Sequence, residues 1–232
     1  MPPRFVLVHG AWHDGRSWDL VVEALNRRRC AAVAVDLPSD EVGVDASGWA
    51  EVIARAAKDP ESEAPVIVGH SLAGIALPLV PALTPVRHLV FLAALVPVPG
   101  RPMLEVMAEE QPLATTEGIA RDELGRSYWA STEAAIATLY HDCEADVAGA
   151  AVDRLRPQAR TAQEEPCPLT SFPSVPMSSI IMRDDRMVRP EWSREAVQAR
   201  LGIGSVELSG GHSPMLADPE LLARMLLELV AG

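Results

Sequence analysis

Short runs of apolar residues recur along the chain, each bounded by glycine, proline or polar residues. Such runs are typical of strands buried on both faces, as in a parallel sheet. They predict six strands, at residues 4–10, 30–38, 64–70, 87–95, 177–184 and 204–210. Amphipathic patterns between several of them predict helices at residues 17–29, 46–59, 191–202 and 218–231. This alternation predicts an α/β fold with a six-stranded, largely parallel sheet and helices on both faces.

The alternation stops between Pro97 and Pro176, where no convincing strand pattern occurs. Helical patterns, separated by polar or proline-bearing loops, cover residues 101–110, 123–142 and 144–159. We therefore predict that residues 1–98 and 173–232 form the core and that residues 99–172 form an inserted helical lid.

Composition narrows the choice of partners. The 232 residues, 48% of them hydrophobic, are enough for one substantial core. The 32 acidic and 20 basic residues give a net charge of −12, which argues against nucleic-acid and membrane-surface partners. We see no signal peptide and no apolar run of roughly 18 residues that could span a bilayer. The 3 cysteines include no CxxC pair, so we expect reduced thiols and a cytoplasmic protein.

The stretch VGHSLAG, residues 68–74, lies where the third predicted strand runs into a predicted helix. It matches the Gly-x-Ser-x-Gly pattern of a nucleophile elbow, except that Ala73 replaces the second glycine. Small residues are needed there because strand and helix crowd together, and Gly69, Ala73 and Gly74 are all small. Ser71 is therefore the candidate nucleophile; the alternative is a serine that caps a buried helix.

A serine nucleophile needs a base, and the base needs a carboxylate partner. His212 lies in the glycine-bearing loop after the last predicted strand. Asp184 and Asp185 follow the fifth predicted strand, and only one can serve because neighbouring side chains point in different directions. The order serine, acid, histidine is the one expected of α/β-hydrolases.

Two backbone amides are expected to form the oxyanion hole, those of Leu72 and Ala11. Aromatic and apolar residues near these loops and in the lid are expected to line a substrate pocket, although they could equally pack the lid: Trp12, His13, Tyr128, Trp129, Leu139 and Tyr140. His9 and His13 are four residues apart, but Gly10 and the turn context argue against a helical metal pair, so we predict no metal site.

The chain resembles the α/β-hydrolase superfamily, and within it the group of plant methyl-ester esterases, hydroxynitrile lyases and their bacterial relatives. The stretches that carry this resemblance span nearly the whole chain: FVLVHGAWHDGRSWDLV, VAVDLP, GHSLAG, LAALVPVPG, DDRMVRPEW and GGHSPMLADPELLA. Placing DDRMVRPEW on the family's loop implies that Asp185, by its distance to Pro190, is the catalytic acid.

We therefore predict a serine carboxylesterase that cleaves a small hydrophobic or aromatic ester through an acyl-enzyme, without a cofactor. One alternative is a lyase, since hydroxynitrile lyases of this group carry threonine where Gly10 stands and lysine where Ser213 stands. A receptor-like protein that keeps the fold is another. A haloalkane-dehalogenase mechanism would need an aspartate in place of Ser71. The oligomeric state is open.

Overall fold

The structure is a computed structural model, and it describes residues 2–59 and 63–231. The strands in these residues are β1 Phe5–Val8, β2 Ala32–Val35, β3 Val66–His70, β4 His88–Leu92, β5 Ile119–Arg121, β6 Ser127–Trp129, β7 Met177–Met182 and β8 Ser205–Leu208. The α-helices are α1 Asp19–Arg27, α2 Ala46–Ala57, α3 Met103–Glu110, α4 Thr132–Leu139, α5 Ala145–Val152, α6 Thr161–Glu164, α7 Pro190–Leu201, α8 Pro214–Ala217 and α9 Pro219–Ala231. None of these helices is long and apolar enough to cross a membrane.

Six of the strands form the main sheet in the order β2-β1-β3-β4-β7-β8, and every neighbouring pair is parallel. This confirms the predicted six-stranded parallel sheet. Val8 lies beside Gly69, which in turn lies beside Phe91, so β1, β3 and β4 end at the same edge. In open α/β sheets, ligands bind outside this carboxyl edge.

Side chains of the sheet alternate between two apolar cores, one on each face. Phe5 and Leu7 of β1 belong to the core on the α1 and α9 face. Val6 and Val8 belong to the core on the α2 face. All four are fully buried, and each such side chain contributes roughly 1.5–3 kcal/mol through removal from water. Burial on both faces explains why these strands are continuously apolar.

The segment after β3 differs from the α-helix that the sequence pattern suggests. It consists of two 3₁₀ segments, Ser71–Ile75 and Leu77–Ala82. Pro78 and Pro81 have no backbone N–H, so they cannot complete the hydrogen bonds of an α-helix. The two prolines therefore account for short, tight turns that keep the segment close to the sheet.

The inserted segment, residues 99–172, contains α3 to α6 and also an antiparallel hairpin of β5 and β6. The prediction that this segment has no strand is therefore wrong. The predicted helix at residues 123–142 is wrong in its first part, since β6 occupies it and α4 begins only after Ser131, whose hydroxyl caps the Ala134 N–H at 3.1 Å. The predicted helix at residues 144–159 ends early, at Val152.

Candidate active site

Ser71 lies in the sharp turn between β3 and the first 3₁₀ segment. Its φ is 52°, in the left-handed region that residues with a side chain rarely adopt. Such a conformation costs on the order of 1–3 kcal/mol and is concentrated at functional sites. The Leu95 N–H donates to the Ser71 carbonyl oxygen at 3.0 Å and holds the turn. The local backbone therefore has the strained geometry expected of a nucleophile elbow.

Crowding around this turn explains its small residues. A Cβ at Gly69 would lie 2.1 Å from Leu77 Cδ1, and a Cβ at Gly74 would lie 2.3 Å from the Leu95 carbonyl oxygen. Ala73 is fully buried and fits with its methyl group. The steric requirement for glycine therefore falls on Gly69 and Gly74, and alanine is accommodated between them.

Asp185 and His212 are joined by a buried hydrogen bond. His212 Nδ1 lies 2.7 Å from Asp185 Oδ2, and the two side chains are 2% and 3% exposed. The other oxygen of Asp185 accepts from the backbone N–H groups of Met187 at 2.7 Å and Val188 at 2.9 Å. Because a carboxylate only accepts, the proton of a neutral His212 sits on Nδ1, and Nε2 keeps a free lone pair.

Asp184 has a different role in the same loop. Its carboxylate accepts from the Gly210 N–H at 2.8 Å, and its own N–H donates to the Gly210 carbonyl at 3.1 Å. Asp184 is exposed, whereas Asp185 is buried. The neighbouring acids thus point in different directions, and it is Asp185 that binds the histidine, as the family resemblance implies.

His70 ties the Ser71 turn to the His212 loop. Its Nε2 lies 2.8 Å from the His212 carbonyl oxygen, so that nitrogen carries the proton and donates. The two imidazole rings are 4.6 Å apart between centroids. Burial is the main reason that the pKa of His70 is well below its ordinary value. His70 is therefore neutral at pH 7. Because His70 directly precedes Ser71, its hydrogen bond holds the backbone of His212 next to the Ser71 turn.

The loop after β1 is held by a chain of hydrogen bonds. His13 Nδ1 donates to the Ala11 carbonyl at 2.7 Å, and the Tyr140 hydroxyl donates to His13 Nε2 at 2.8 Å. Burial lowers the pKa of His13 to about 4, so the ring is neutral at pH 7. Trp12 has a φ of 65°, a second strained residue at the site. These contacts fix the backbone from which the Ala11 N–H projects.

The histidines of this loop are occupied by the protein itself. His9 Nδ1 donates to the Gly10 carbonyl at 2.8 Å, and His9 Nε2 accepts from the Leu37 N–H at 2.9 Å. Both nitrogens of His13 are likewise engaged, so neither ring offers a free lone pair to a metal. Within residues 2–59 and 63–231, no group of three or more histidine, cysteine, aspartate or glutamate side chains is arranged to hold one.

The three cysteines are not activated nucleophiles. Burial raises the pKa of the thiols of Cys30 and Cys167, and raises that of Cys143 to about 12. A thiol reacts through its thiolate, which these values disfavour at pH 7. Ser71 therefore has no competing cysteine at the edge of the sheet.

A cavity of about 340 Å³ opens beside Ser71. Its wall is formed by the loop after β1, the Ser71 turn and the inserted segment. The lining residues are Ala11, Trp12, Ser71, Leu72, Leu95, Leu104, Met107, Leu113, Thr116, Ile119, Arg121, Ser127, Gln158, Gln163 and Met187. The volume is in the range of small-molecule sites, and most of the lining is apolar. The candidate nucleophile and both candidate oxyanion residues thus share one cavity.

Three of the predicted pocket residues belong to the interior behind this cavity. Leu139 and Tyr140 are fully buried in the apolar core and do not line the cavity. His13 is hydrogen-bonded to Tyr140 and lines a separate cavity of about 270 Å³ between the loop after β1 and α5. Tyr140 supports the loop that carries Ala11 through His13, and none of the three side chains lines the cavity beside Ser71.

Two further predicted pocket residues lie on β6 and also fall outside the lining. Tyr128 is exposed, since adjacent strand residues point to opposite faces and the neighbouring Ser127 faces the cavity. Trp129 packs its edge against Trp12, with 5.5 Å between ring centroids. Trp12 itself lines the cavity, so Trp129 supports the wall from behind.

The polar lining was missed in the sequence. Arg121, Ser127, Gln158 and Gln163 all line the cavity and all lie in the inserted segment. Arg121 and Ser127 lie on three-residue strands, whereas Gln158 lies in an irregular loop. Gln163 lies on the four-residue helix α6. Elements this short give no periodic pattern that can be recognised. Ile119 and Arg121, two residues apart on β5, share the face that lines the cavity, but one such pair is too short a pattern to stand out.

Comparison with known proteins assigns the family. A model of the alpha/beta hydrolase family matches residues 5–225, which is nearly the whole chain. The chain belongs to the alpha/beta hydrolase family. This confirms the resemblance on which Asp185 was chosen over Asp184.

Individual relatives include esterases. Alpha/beta hydrolase nvfD of Aspergillus novofumigatus is 26% identical over 243 residues, which cover 97% of this chain and 96% of that protein. Probable esterase PIR7A of Oryza sativa subsp. indica is 36% identical over 109 residues, covering 43% of this chain and 41% of that protein. The crystal structure of polyneuridine aldehyde esterase covers 99% of both chains with a TM-score of 0.83 at 20% identity. At that identity, the structural match shows a shared fold.

Proposed function

We propose that this alpha/beta hydrolase is a carboxylesterase with Ser71 as nucleophile, His212 as base and Asp185 as its carboxylate partner. The observation that carries the proposal is the buried 2.7 Å hydrogen bond between His212 Nδ1 and Asp185 Oδ2. That bond leaves Nε2 as the free acceptor that a serine nucleophile requires. Ser71 stands in a strained turn at a cavity large enough for a small ester.

The reaction follows from these groups. Ser71 Oγ attacks the ester carbonyl carbon while His212 Nε2 takes the hydroxyl proton. The amides of Ala11 and Leu72, both at the cavity wall, donate to the oxyanion. When the intermediate collapses, the alcohol leaves with the proton from Nε2 and an acyl-enzyme remains. A water molecule then gives its proton to Nε2, attacks the acyl carbon and releases the acid.

The cavity supports a small hydrophobic or aromatic ester. Its volume is about 340 Å³, and leucine, methionine, isoleucine and tryptophan side chains make up most of its wall. Burying an apolar acyl or alcohol group against them gains about 25 cal/mol for each Å² removed from water. Activity is therefore expected to rise with chain length until the cavity is filled.

Two positions disfavour the lyase alternative. A Cβ at Gly10 would lie 2.8 Å from Ser71 Cβ, so the threonine of the lyases does not fit this backbone. Ser213 occupies the position of the lyase lysine and is fully buried, so no cation follows His212. Both positions that distinguish the lyases are therefore different here, and hydrolysis is the reaction that we propose.

Hydrolysis of p-nitrophenyl esters from acetate to octanoate tests this function. Wild type is expected to turn over the series, and Ser71→Ala is expected to lower kcat/KM by at least about 10⁴-fold, as loss of a triad member does elsewhere. Ser213→Ala is the matched control, because Ser213 neighbours His212 in the chain but its hydroxyl has no hydrogen-bond partner in the part of the chain that the structure describes. A Ser71→Ala variant as active as Ser213→Ala would overturn the proposal.

A further inference from the structure

Three cavity-lining residues form one row across the inserted segment. Arg121 of β5 is paired with Ser127 of β6, and Ser127 is bridged in turn to Gln158. All three line the cavity beside Ser71. Residues that are directly opposite in paired strands present their side chains on the same face. We call Arg121, Ser127 and Gln158 the polar row.

Gln158 ends the row with an unused acceptor. Its side chain is buried, with the residue only 1% exposed. Its Nε2 donates to the carbonyl oxygens of Ser39 at 2.9 Å and Ala159 at 2.7 Å. Because both partners can only accept, the amide has one possible orientation. Its Oε1 is buried and has no hydrogen-bond partner among residues 2–59 and 63–231. A buried acceptor without a partner is unfavourable, and a ligand donor would satisfy it.

Arg121 ends the row with an unused positive charge. Its Nη1 donates to the Gly125 carbonyl oxygen at 3.0 Å, and within residues 2–59 and 63–231 no carboxylate lies within 4.0 Å of the guanidinium. The nearby Arg126, which does not line the cavity, is bound to Asp122 at 2.7 Å. The guanidinium that faces the cavity is thus left available for an anion.

The middle of the row is already occupied. The Ser127 hydroxyl accepts from Trp12 Nε1 at 3.1 Å, so this contact belongs to the wall of the cavity. Recognition therefore falls on the two ends, one a cation and the other an acceptor. The chain has a net charge of −12, so an anionic ester gains nothing from the overall field and needs a local cation.

We propose that the polar row selects the substrate, an ester that carries a carboxylate for Arg121 and a hydroxyl or N–H donor for Gln158 Oε1. This inference rests on the proposed esterase function and specifies its substrate class. The carboxylate forms charge-assisted hydrogen bonds with the guanidinium. The apolar part of the ester lies against the remaining wall, and the scissile bond lies at Ser71.

Three esters of equal chain length separate the two ends of the row: p-nitrophenyl hexanoate, mono-p-nitrophenyl adipate and p-nitrophenyl 6-hydroxyhexanoate. Wild type is expected to prefer the adipate over the hexanoate by about tenfold or more in kcat/KM, and the hydroxy ester by about threefold or more. Arg121→Gln should abolish the first preference and Gln158→Met the second. Each preference is a ratio within one variant, so a change in the folded fraction cancels.

Arg55→Gln is the matched control, because it removes the same charge from α2, outside the cavity. It is expected to keep both preferences. Equal preferences in wild type, Arg121→Gln and Gln158→Met would overturn the inference while leaving esterase activity intact. If wild type hydrolyses none of the esters, the proposed function fails, and calorimetric binding to Ser71→Ala decides the inference. The inference then requires monoethyl adipate to bind Ser71→Ala at least tenfold more tightly than ethyl hexanoate does. It also requires this difference in affinity to disappear in the double variant Ser71→Ala/Arg121→Gln.

Discussion

Replacing Asp185 by asparagine keeps the shape of the side chain. It removes the negative charge and turns one of the two hydrogen-bond acceptors into a donor. In the structure, Asp185 Oδ1 accepts from the N–H groups of Met187 and Val188, and Oδ2 accepts from His212. The amide oxygen of an asparagine must take the place of Oδ1. The opposite orientation would leave two buried N–H groups unpaired, at a cost of roughly 1–3 kcal/mol each.

The amide NH₂ then faces His212 Nδ1 and turns it into an acceptor. The proton of the neutral imidazole moves to Nε2, where it blocks the transfer from Ser71. Two unpaired N–H groups give the amide an orientation preference of roughly 2–6 kcal/mol. The same aspartate-to-asparagine change in serine proteases lowers kcat by about 10⁴-fold, and a preference of this size is enough to account for such a loss. A loss of 10⁴-fold corresponds to about 5.5 kcal/mol in the activation free energy.

The assay measures kcat for p-nitrophenyl ester hydrolysis at pH 7 with a saturating concentration of the ester. Thermal unfolding confirms that each variant is folded. Asp184→Asn is the matched control, because Asp184 lies in the same loop and its carboxylate accepts from the Gly210 N–H, not from His212. It is expected to stay within about threefold of wild type. An Asp185→Asn enzyme within tenfold of wild type, or a larger loss in Asp184→Asn, would refute the tautomer argument.

The remaining predictions concern stability. Gly74→Ala is expected to lower the free energy of unfolding by at least about 2 kcal/mol in urea titrations, because its Cβ would meet the Leu95 carbonyl at 2.3 Å. Gly149→Ala in α5 is the control, because a Cβ there would have no neighbouring atom within 4 Å; it should be neutral or stabilising by up to about 1 kcal/mol. If Gly74→Ala and Gly149→Ala changed the free energy of unfolding equally, the crowding argument would be wrong. His13 has a pKa of about 4 when folded against an ordinary 6.5, so the unfolded chain binds its proton first. This group is expected to remove about 3 kcal/mol of stability as the pH falls from 6.5 to 4, and the His13→Asn variant should lack that part of the slope.

The centre of the main sheet was predictable because its inner strands β1, β3 and β4 are buried on both faces. β1, β3 and β4 appear in the sequence as uninterrupted apolar runs, and all of their described neighbours in the sheet are parallel. The hairpin of β5 and β6 was not predictable in the same way. Each strand has three residues, and the helical pattern of α4 runs directly into β6. Pairing across the hairpin, rather than local preference, determines its structure.

The candidate site likewise has a part that was predictable from the sequence and a part that was not. Ser71, Asp185 and His212 follow strands of the main sheet, and strand ends are recognisable from the sequence. The cavity wall instead depends on which side chains of the inserted segment face inward. Leu139 and Tyr140 were expected there but fill the core, whereas residues such as Gln158 face the cavity from an irregular stretch. Apolar character alone does not distinguish a pocket wall from a core.

Labelling with a fluorophosphonate, followed by intact-mass and then peptide mass spectrometry, tests directly whether Ser71 is the nucleophile. We expect one adduct for each chain, located on Ser71, whose hydroxyl is held in the strained turn at the cavity. Asp185→Asn should react at least about 10³-fold more slowly, because the same base activates the serine. No adduct on folded wild-type protein, or an adduct on another residue, would contradict the assignment of Ser71 as the nucleophile.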